Sequence, residues 1–120
     1  MKFPANVVSL HPYFKAHAGK FNAVKASLPA FVEKTAPEEM CLYYEFTING
    51  DEIFCREGYV GAEGVLAHLA NVGALLGELM KISDLARLEV HGPAAELDKL
   101  KGALDGLKPA WFALECGVKK

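Results

Sequence analysis

Several things are scarce in this 120-residue chain, and each scarcity closes off a class of function. Long apolar runs are missing: no stretch reaches the ~18 residues of a membrane-crossing helix, so no membrane span is expected. An excess of either charge is missing too, since 13 Lys+Arg stand against 15 Asp+Glu for a net charge of -2. The basic residues are scattered rather than clustered, which gives no support to nucleic-acid binding. Cysteines number only three, an odd count, and Cys41, Cys55 and Cys116 all fall within apparent strands. That pattern predicts reduced, buried thiols in a cytoplasmic protein rather than a disulfide framework. No CxxC occurs, and His11 and His17 lie on either side of Pro12, so four suitably spaced metal ligands do not assemble and no metal is expected. The start, Met1-Lys2-Phe3-Pro4, lacks the apolar core of a signal peptide. Repeats, low-complexity tracts and long linkers are absent, so residues 1–120 read as a single domain, and a 52% hydrophobic composition can fill its core.

What is there begins with Cys41 to His68, CLYYEFTINGDEIFCREGYVGAEGVLAH. Two strand-like runs flank Asn49-Gly50, the dipeptide favoured at the centre of a type I′ hairpin turn. That turn pairs Ile48 with Asp51, Phe46 with Ile53, Tyr44 with Cys55 and Leu42 with Glu57. Because side chains alternate along a strand, Leu42, Tyr44, Phe46, Ile53, Cys55, Glu57 and Tyr59 share one face. Glu57 is the odd member of an apolar set. The opposite face collects Cys41, Tyr43, Glu45, Thr47, Glu52, Phe54 and Arg56.

The rest of the chain follows a β-α-β-β-α-β-α-β order. Residues 6–14 read as a strand that Pro12 either confines to an edge or deprives of its ladder pairing. A turn at 17–20 leads to a helix over 21–35 with Phe21, Val24, Leu28, Phe31 and Val32 at helical spacing and a kink or restart at Pro29. A second helix over 62–80 carries Val65, Leu69, Val72, Leu76 and Leu79, with His68 at the edge of that stripe. Residues 85–91 alternate as a strand. Gly92-Pro93 opens a short helix with Leu97, Leu100, Leu104 and Leu107, where His91 serves as a cap or in packing. The last strand spans 110–118. This order predicts an α+β fold, an antiparallel sheet with helices over one face. The other face, bearing Tyr43, Glu45, Phe54 and Arg56, must meet water or another subunit, and a two-fold homodimer satisfies it.

The runs MCLYYEF, IFCREGY and LAHL, in that order, resemble the antibiotic biosynthesis monooxygenase family. Its pattern maps onto Cys41, Leu42, Tyr44 and Glu45, then Glu57 and Tyr59, then His68 and Leu69, and covers about residues 6–80. Tyr59 stands where the family commonly has Trp, and Met40 where it has Gly. The resemblance implies a ferredoxin-like domain in a dimeric α/β barrel. It also implies that a small aromatic or quinol-type molecule is oxidised by oxygen without a bound cofactor. The haem-degrading branch needs an Asn, a Trp and a His; Asn6 and His68 suit two roles, but Trp111 lies in the wrong element.

Oxidation of a phenol by oxygen starts with loss of its proton, because the phenolate releases an electron far more readily. That calls for a base titrating near the working pH in a pocket that excludes water. Glu57 and His68 are the candidate catalytic residues, with Tyr44, Tyr59, Phe46 and Asn71 as substrate-binding candidates. A carboxyl among apolar neighbours has its pKa raised unless a partner offsets the burial. The bland alternative is a structural Glu57–His68 pair, sealed by Leu42, Leu69 and Val72, in a dimeric α/β-barrel protein that binds a small ligand or serves in stress without catalysis. A lyase or isomerase acting on a small acid needs a cation in the pocket, and Arg56 falls on the opposite face.

Overall fold

Along Val7–Ala16 (β1) side chains alternate between buried and half-exposed, and this strand becomes the middle of a five-stranded sheet. In the computed structural model, which describes residues 3–120, β1 is followed by α1 (Phe21–Thr35), the hairpin β2 (Cys41–Asn49) and β3 (Glu52–Val60), α2 (Gly61–Leu79) and β4 (Ser83–Gly92). Two short helices, α3 (Ala94–Asp98) and α4 (Lys101–Leu104), and a 3-10 turn then lead to β5 (Ala110–Ala113). The sheet order is β2-β3-β1-β4-β5. The first four strands are antiparallel and make the ferredoxin-like βαββαβ unit. The fold is thus α+β, as expected. Among the described residues no helix is long and apolar enough to cross a membrane.

Several sequence expectations need correction. Pro12 lies in the central strand, not at an edge. The β1–β3 ladder steps from Leu10–Glu57 to Tyr13–Phe54, skipping the proline, and the β1–β4 ladder shifts register between Tyr13 and Phe14. A residue without an N–H is accommodated where the pairing is already loosened. Pro29 does not restart α1, which runs unbroken from Phe21 to Thr35; it faces solvent, as does Lys25, whose carbonyl loses its helical partner there and is free to meet water. Val32 is 45% exposed, and Thr35 takes the buried place at that end of the helix. The final strand is four residues long, not nine, and runs parallel to β4, so the sheet is mixed. Cys116 consequently lies outside any strand and is exposed, while Cys55 is buried and Cys41 half-buried.

The hairpin turn also differs. Asn49 pairs with Glu52, leaving Gly50 and Asp51 at the centre, and only Gly50 has a positive φ (63°), the pattern of a type II′ turn. Every pair moves by two: Ile48 faces Ile53, Phe46 faces Cys55 and Tyr44 faces Glu57. A shift of two preserves the alternation, so Tyr44, Phe46, Ile53, Cys55, Glu57 and Tyr59 keep the face read from the sequence. An irregularity between Cys41 and Tyr43 breaks that alternation at the strand's start, and Cys41 packs against the core instead of the outer face.

All helices cover one face. One core cluster joins Val8, Leu10, Tyr59, Val65 and Val90 to Leu97, Leu100 and Leu104 of the C-terminal helices. A second joins Phe14 and Ile53 to α1 and the far end of α2 through Val24, Leu28, Phe31, Val72 and Leu79. On the bare face, aromatic rings line up: Tyr13 against Phe54 at 4.7 Å, His11 against His91 at 4.6 Å, and His91 stacked on Phe112 at 4.4 Å between centroids. His91 therefore does not cap the short helix; its Nε2 lies 3.2 Å from Glu89.

Candidate active site

Glu57 reaches the interior through the parity of β3, with Leu10 beside it on β1 and Tyr44 on β2. It is only 5% exposed. The hydroxyl of Tyr59, two residues along on the same face, donates to Glu57 Oε1 at 2.6 Å. From the helix layer, α2 brings His68 Nε2 to 3.6 Å from the same oxygen. His68 is 2% exposed and belongs to the centre of the buried face, not its edge, which falls at half-buried Leu69. On its other side, His68 Nδ1 lies 2.9 Å from Glu38 Oε2 and 3.2 Å from Oε1. Asn71, one turn further along α2, donates through Nδ2 to Glu38 Oε2 at 2.7 Å and to the Lys34 carbonyl at 2.8 Å. With its proton on Nδ1, the nitrogen within hydrogen-bonding distance of a carboxylate, neutral His68 turns a lone pair on Nε2 toward Glu57. The groups form a continuous row, Tyr59–Glu57–His68–Glu38–Asn71.

The electrostatics follow from burial. Removal from water pushes the Glu57 carboxyl from 4.5 up to about 7, while its bonds from Tyr59 and Cys55 pull the other way and nearby Glu38 adds to the rise. Burial lowers His68, opposed by its bond to Glu38. Tyr44, Tyr59 and Cys55 are each pushed upward, first by burial and then by the charge of Glu57, and Cys41 rises to about 11 for the same reason with Glu38 adding to it. Near neutral pH, then, the titrating group at this site is the carboxyl.

Glu57 and His68 open onto a cavity between the two core clusters, lined by Phe14, Phe31, Tyr44, Phe46, Leu69, Val72 and Leu88 among others. Among the described residues, no Lys or Arg lines it. Its volume is about 50 Å³, well short of the ~300 Å³ of an ordinary ligand pocket. Leu69 and Val72 contribute to the wall, but Leu42 does not; it lines a separate groove. The site is thus neither fully open nor closed by the three residues expected to seal it.

Of the six site residues expected from the sequence, Glu57, His68, Tyr44 and Phe46 meet at this cavity. Tyr59 and Asn71 do not line it: Tyr59 stands behind Glu57 as a donor, and Asn71 holds Glu38. Each contacts another residue of the row rather than the cavity. Glu38 was not anticipated. It follows Pro37 in a loop and adjoins exposed Glu39, so only three-dimensional contact distinguishes it from a solvated acid. Asn6 lies by the start of α2, where its carbonyl accepts from Gly61 N–H at 2.9 Å, away from the site.

No protein-family model matches the chain, and no curated protein sequence does. Among solved structures, MupZ from Pseudomonas fluorescens is 41% identical, with 100% of this chain and 94% of that one covered at a TM-score of 0.91. A candidate antibiotic biosynthesis monooxygenase from Chloroflexus aurantiacus J-10-fl is 21% identical over 73% of this chain and 93% of its own, with a TM-score of 0.60. Another, from Caulobacter crescentus CB15, is 16% identical over 72% and 88%, with a TM-score of 0.64. At those identities the last two speak to the fold alone. The chain belongs to the family of MupZ, built on the fold that the antibiotic biosynthesis monooxygenases share.

Proposed function

We propose that the protein is an acid–base enzyme acting on a small, neutral, largely apolar molecule, with Glu57 as the group that takes or gives the proton. One observation carries this reading: a carboxyl enclosed by apolar side chains, bonded by Tyr59, and titrating at about 7. Near neutral pH both of its forms are populated, which suits a group that must release and recover a proton in each cycle. Tyr44 and Phe46 present ring faces and edges against which a small aromatic ring packs. A ring substrate needs more room than about 50 Å³, so entry requires the half-buried leucines of the wall, Leu76, Leu85 and Leu107, to move aside.

The names carried by the structural neighbours favour oxidation by oxygen as the reaction. In that case ionised Glu57, or His68 behind it, removes a hydroxyl proton from a quinol-type substrate, and the resulting anion passes an electron to oxygen. A different observation favours a reaction without oxygen. Among the described residues no cation lines the cavity to stabilise an ionised ring, while a carboxyl titrating at about 7 is as good an acid as a base. Proton donation to an oxygen of a neutral substrate, leading to isomerisation, elimination or ring opening, uses the same residues.

Turnover of hydroquinones and polycyclic phenols under air and under nitrogen, in the native chain and in Glu57→Gln and His68→Ala, separates these cases. Oxygen uptake that collapses in Glu57→Gln supports the oxygenase. Anaerobic turnover of neutral oxygen-containing compounds that collapses in the same variant supports the second reaction. Tight binding without turnover in either atmosphere overturns the enzymatic reading and leaves a ligand-binding protein.

Two further parts of the proposal concern setting. The half-buried rings of Tyr13 and Phe54 and the exposed Phe112 give the bare sheet face an apolar middle. Paired Glu45–Arg56 and Arg87–Glu89 supply both signs of charge around it, which favours a two-fold homodimer through that face. A monomeric mass by sedimentation at micromolar concentration refutes it. The free thiols fit a reducing, cytoplasmic location.

A further inference from the structure

A group that exchanges a proton in every cycle needs a route to water, and the apolar wall around Glu57 offers none. The carboxyl side chain is 6% exposed and the His68 side chain 3%, but the Glu38 side chain is 12% exposed. Glu38 forms part of a second, open groove of about 280 Å³ whose wall also includes Val32, Thr35, Cys41 and Tyr43. Tyr44 belongs to both linings, so its ring is the partition between groove and cavity. Thr35, whose buried hydroxyl has no protein partner among the described residues, adds a polar atom to the groove wall.

We infer that Glu38 and His68 are the proton path between this groove and Glu57. The inference rests on the acid–base reading of Glu57 and adds to it the route by which that group is recharged. The steps balance without a co-reactant. From the Nδ1–H form, Glu57 gives its proton to His68 Nε2 as the Nδ1 proton passes to Glu38, which hands it to groove water as hydronium; the reverse sequence, hydronium to Glu38, Glu38 to Nδ1 and the Nε2 proton to Glu57, recharges the site. The Glu38–His68 gap is 2.9 Å and the His68–Glu57 gap 3.6 Å, so only the second must shorten, by about half an ångström, to reach hydrogen-bonding distance. Asn71 fixes the Glu38 carboxylate, and the Lys34 carbonyl fixes Asn71, so the acid at the mouth of the path is held by two elements, α1 and α2.

The other titratable groups facing this row are Cys41 and Tyr44 on β2 and Cys55 and Tyr59 on β3. Burial drives all four away from ionisation near neutrality, so none provides a competing route. Glu38 is on this account a positioning and relay residue: it acts on the substrate only through His68 and Glu57.

The test needs no substrate. Carbon-13 NMR of glutamate carboxyls near pH 7 measures how fast Glu57 interconverts between its protonated and ionised forms. The expected result is at least a tenfold slower exchange in Glu38→Gln and in His68→Gln, recovery in Glu38→Asp, and no change in Glu39→Gln, the exposed neighbour. A role for Glu38 in merely propping the histidine shifts resonances without slowing exchange. Unchanged exchange in Glu38→Gln, with a native amide spectrum, overturns the path. Exchange in His68→Gln as fast as in the native chain overturns it independently. If instead Glu57 fails to titrate between pH 6 and 8 in the native chain, the acid–base reading itself falls, so the two failures are distinguishable.

Discussion

The two faces of this sheet carry the same kind of residue to opposite ends. Glu57 on β3 points inward, where burial raises its carboxyl to about 7. Glu89 on β4 is held on the bare face by Arg87, at 2.5 Å, and by His91, at 3.2 Å, and those bonds lower its pKa. Both sit on strands that flank β1, and alternation alone decides which environment each meets. Outside, a carboxylate finds cations and stays ionised. Inside, it finds Leu10, Tyr44 and a neutral imidazole, and its proton becomes hard to remove. An acid kept near its titration point by an apolar wall is the less stable arrangement, and its persistence is a reason to look for chemistry there.

The comparison breaks most visibly if the inner acid loses its charge. Glu57→Gln keeps the shape and the acceptor for Tyr59 but removes the transferable proton; turnover of any substrate found should fall by roughly a hundredfold to ten-thousandfold. Steady-state rates across pH check it, and a variant retaining more than a tenth of native turnover refutes the assignment.

The same substitution should stabilise the fold at alkaline pH. The folded carboxyl titrates at about 7 against an ordinary 4.5, so the fold holds this proton more tightly than the unfolded chain does. Its contribution is fully present below 4.5 and is lost as pH rises to 7, where the difference amounts to roughly 3 kcal/mol as an upper figure. Glu57→Gln should therefore melt several degrees above the native chain at pH 8 and close to it at pH 4.5. Equal melting differences at the two values sink the claim that Glu57 is buried without a compensating charge.

Much of this contrast was legible before any coordinates, and for a physical reason. The expected turn was centred one residue too early, yet the resulting error of two in the register left the side chains from Tyr43 onward on their correct faces. An error of one would have sent Glu57 outward and turned Arg56 into the core. Helical spacing placed His68 on the same side as the apolar stripe of α2, although not at its centre. Glu38 was illegible because a loop acid has no periodicity, and its role arises from contacts with α2, 30 and 33 residues away. The mixed sheet was missed since a short parallel strand differs from an antiparallel one by its connection, not by its residues. Of the two outcomes expected for Pro12, the edge placement fails and the interrupted ladder holds, because a break in the β1–β3 pairing at mid-sheet meets the same lack of an N–H.

Tyr59→Phe sharpens the comparison more gently. The Tyr59 bond is the foremost influence holding the Glu57 pKa down against burial, so its loss should move the carboxyl's titration to higher pH. Carboxyl carbon-13 shifts followed from pH 5 to 9 read this directly. A midpoint that stays or falls means that the hydroxyl serves only packing.

The smallest effect belongs to the outer acid, and its sign is what matters. Because the pKa of Glu89 is lowered in the fold, its contribution is present above the ordinary carboxyl value of 4.5 and is lost as pH falls through the lower folded value. Glu89→Gln should thus melt slightly below the native chain at pH 8 and match it in strong acid, the reverse of Glu57→Gln. The pairs with Arg87 and His91 lie where water and salt screen them, so the loss should shrink further in 1 M salt, whereas the inner effect should not. Melting curves for the two variants at two pH values and two salt concentrations test both halves together. If Glu89→Gln instead gains stability with rising pH, alternation has not separated the two environments, and the buried carboxyl owes its titration to something other than the apolar face it shares.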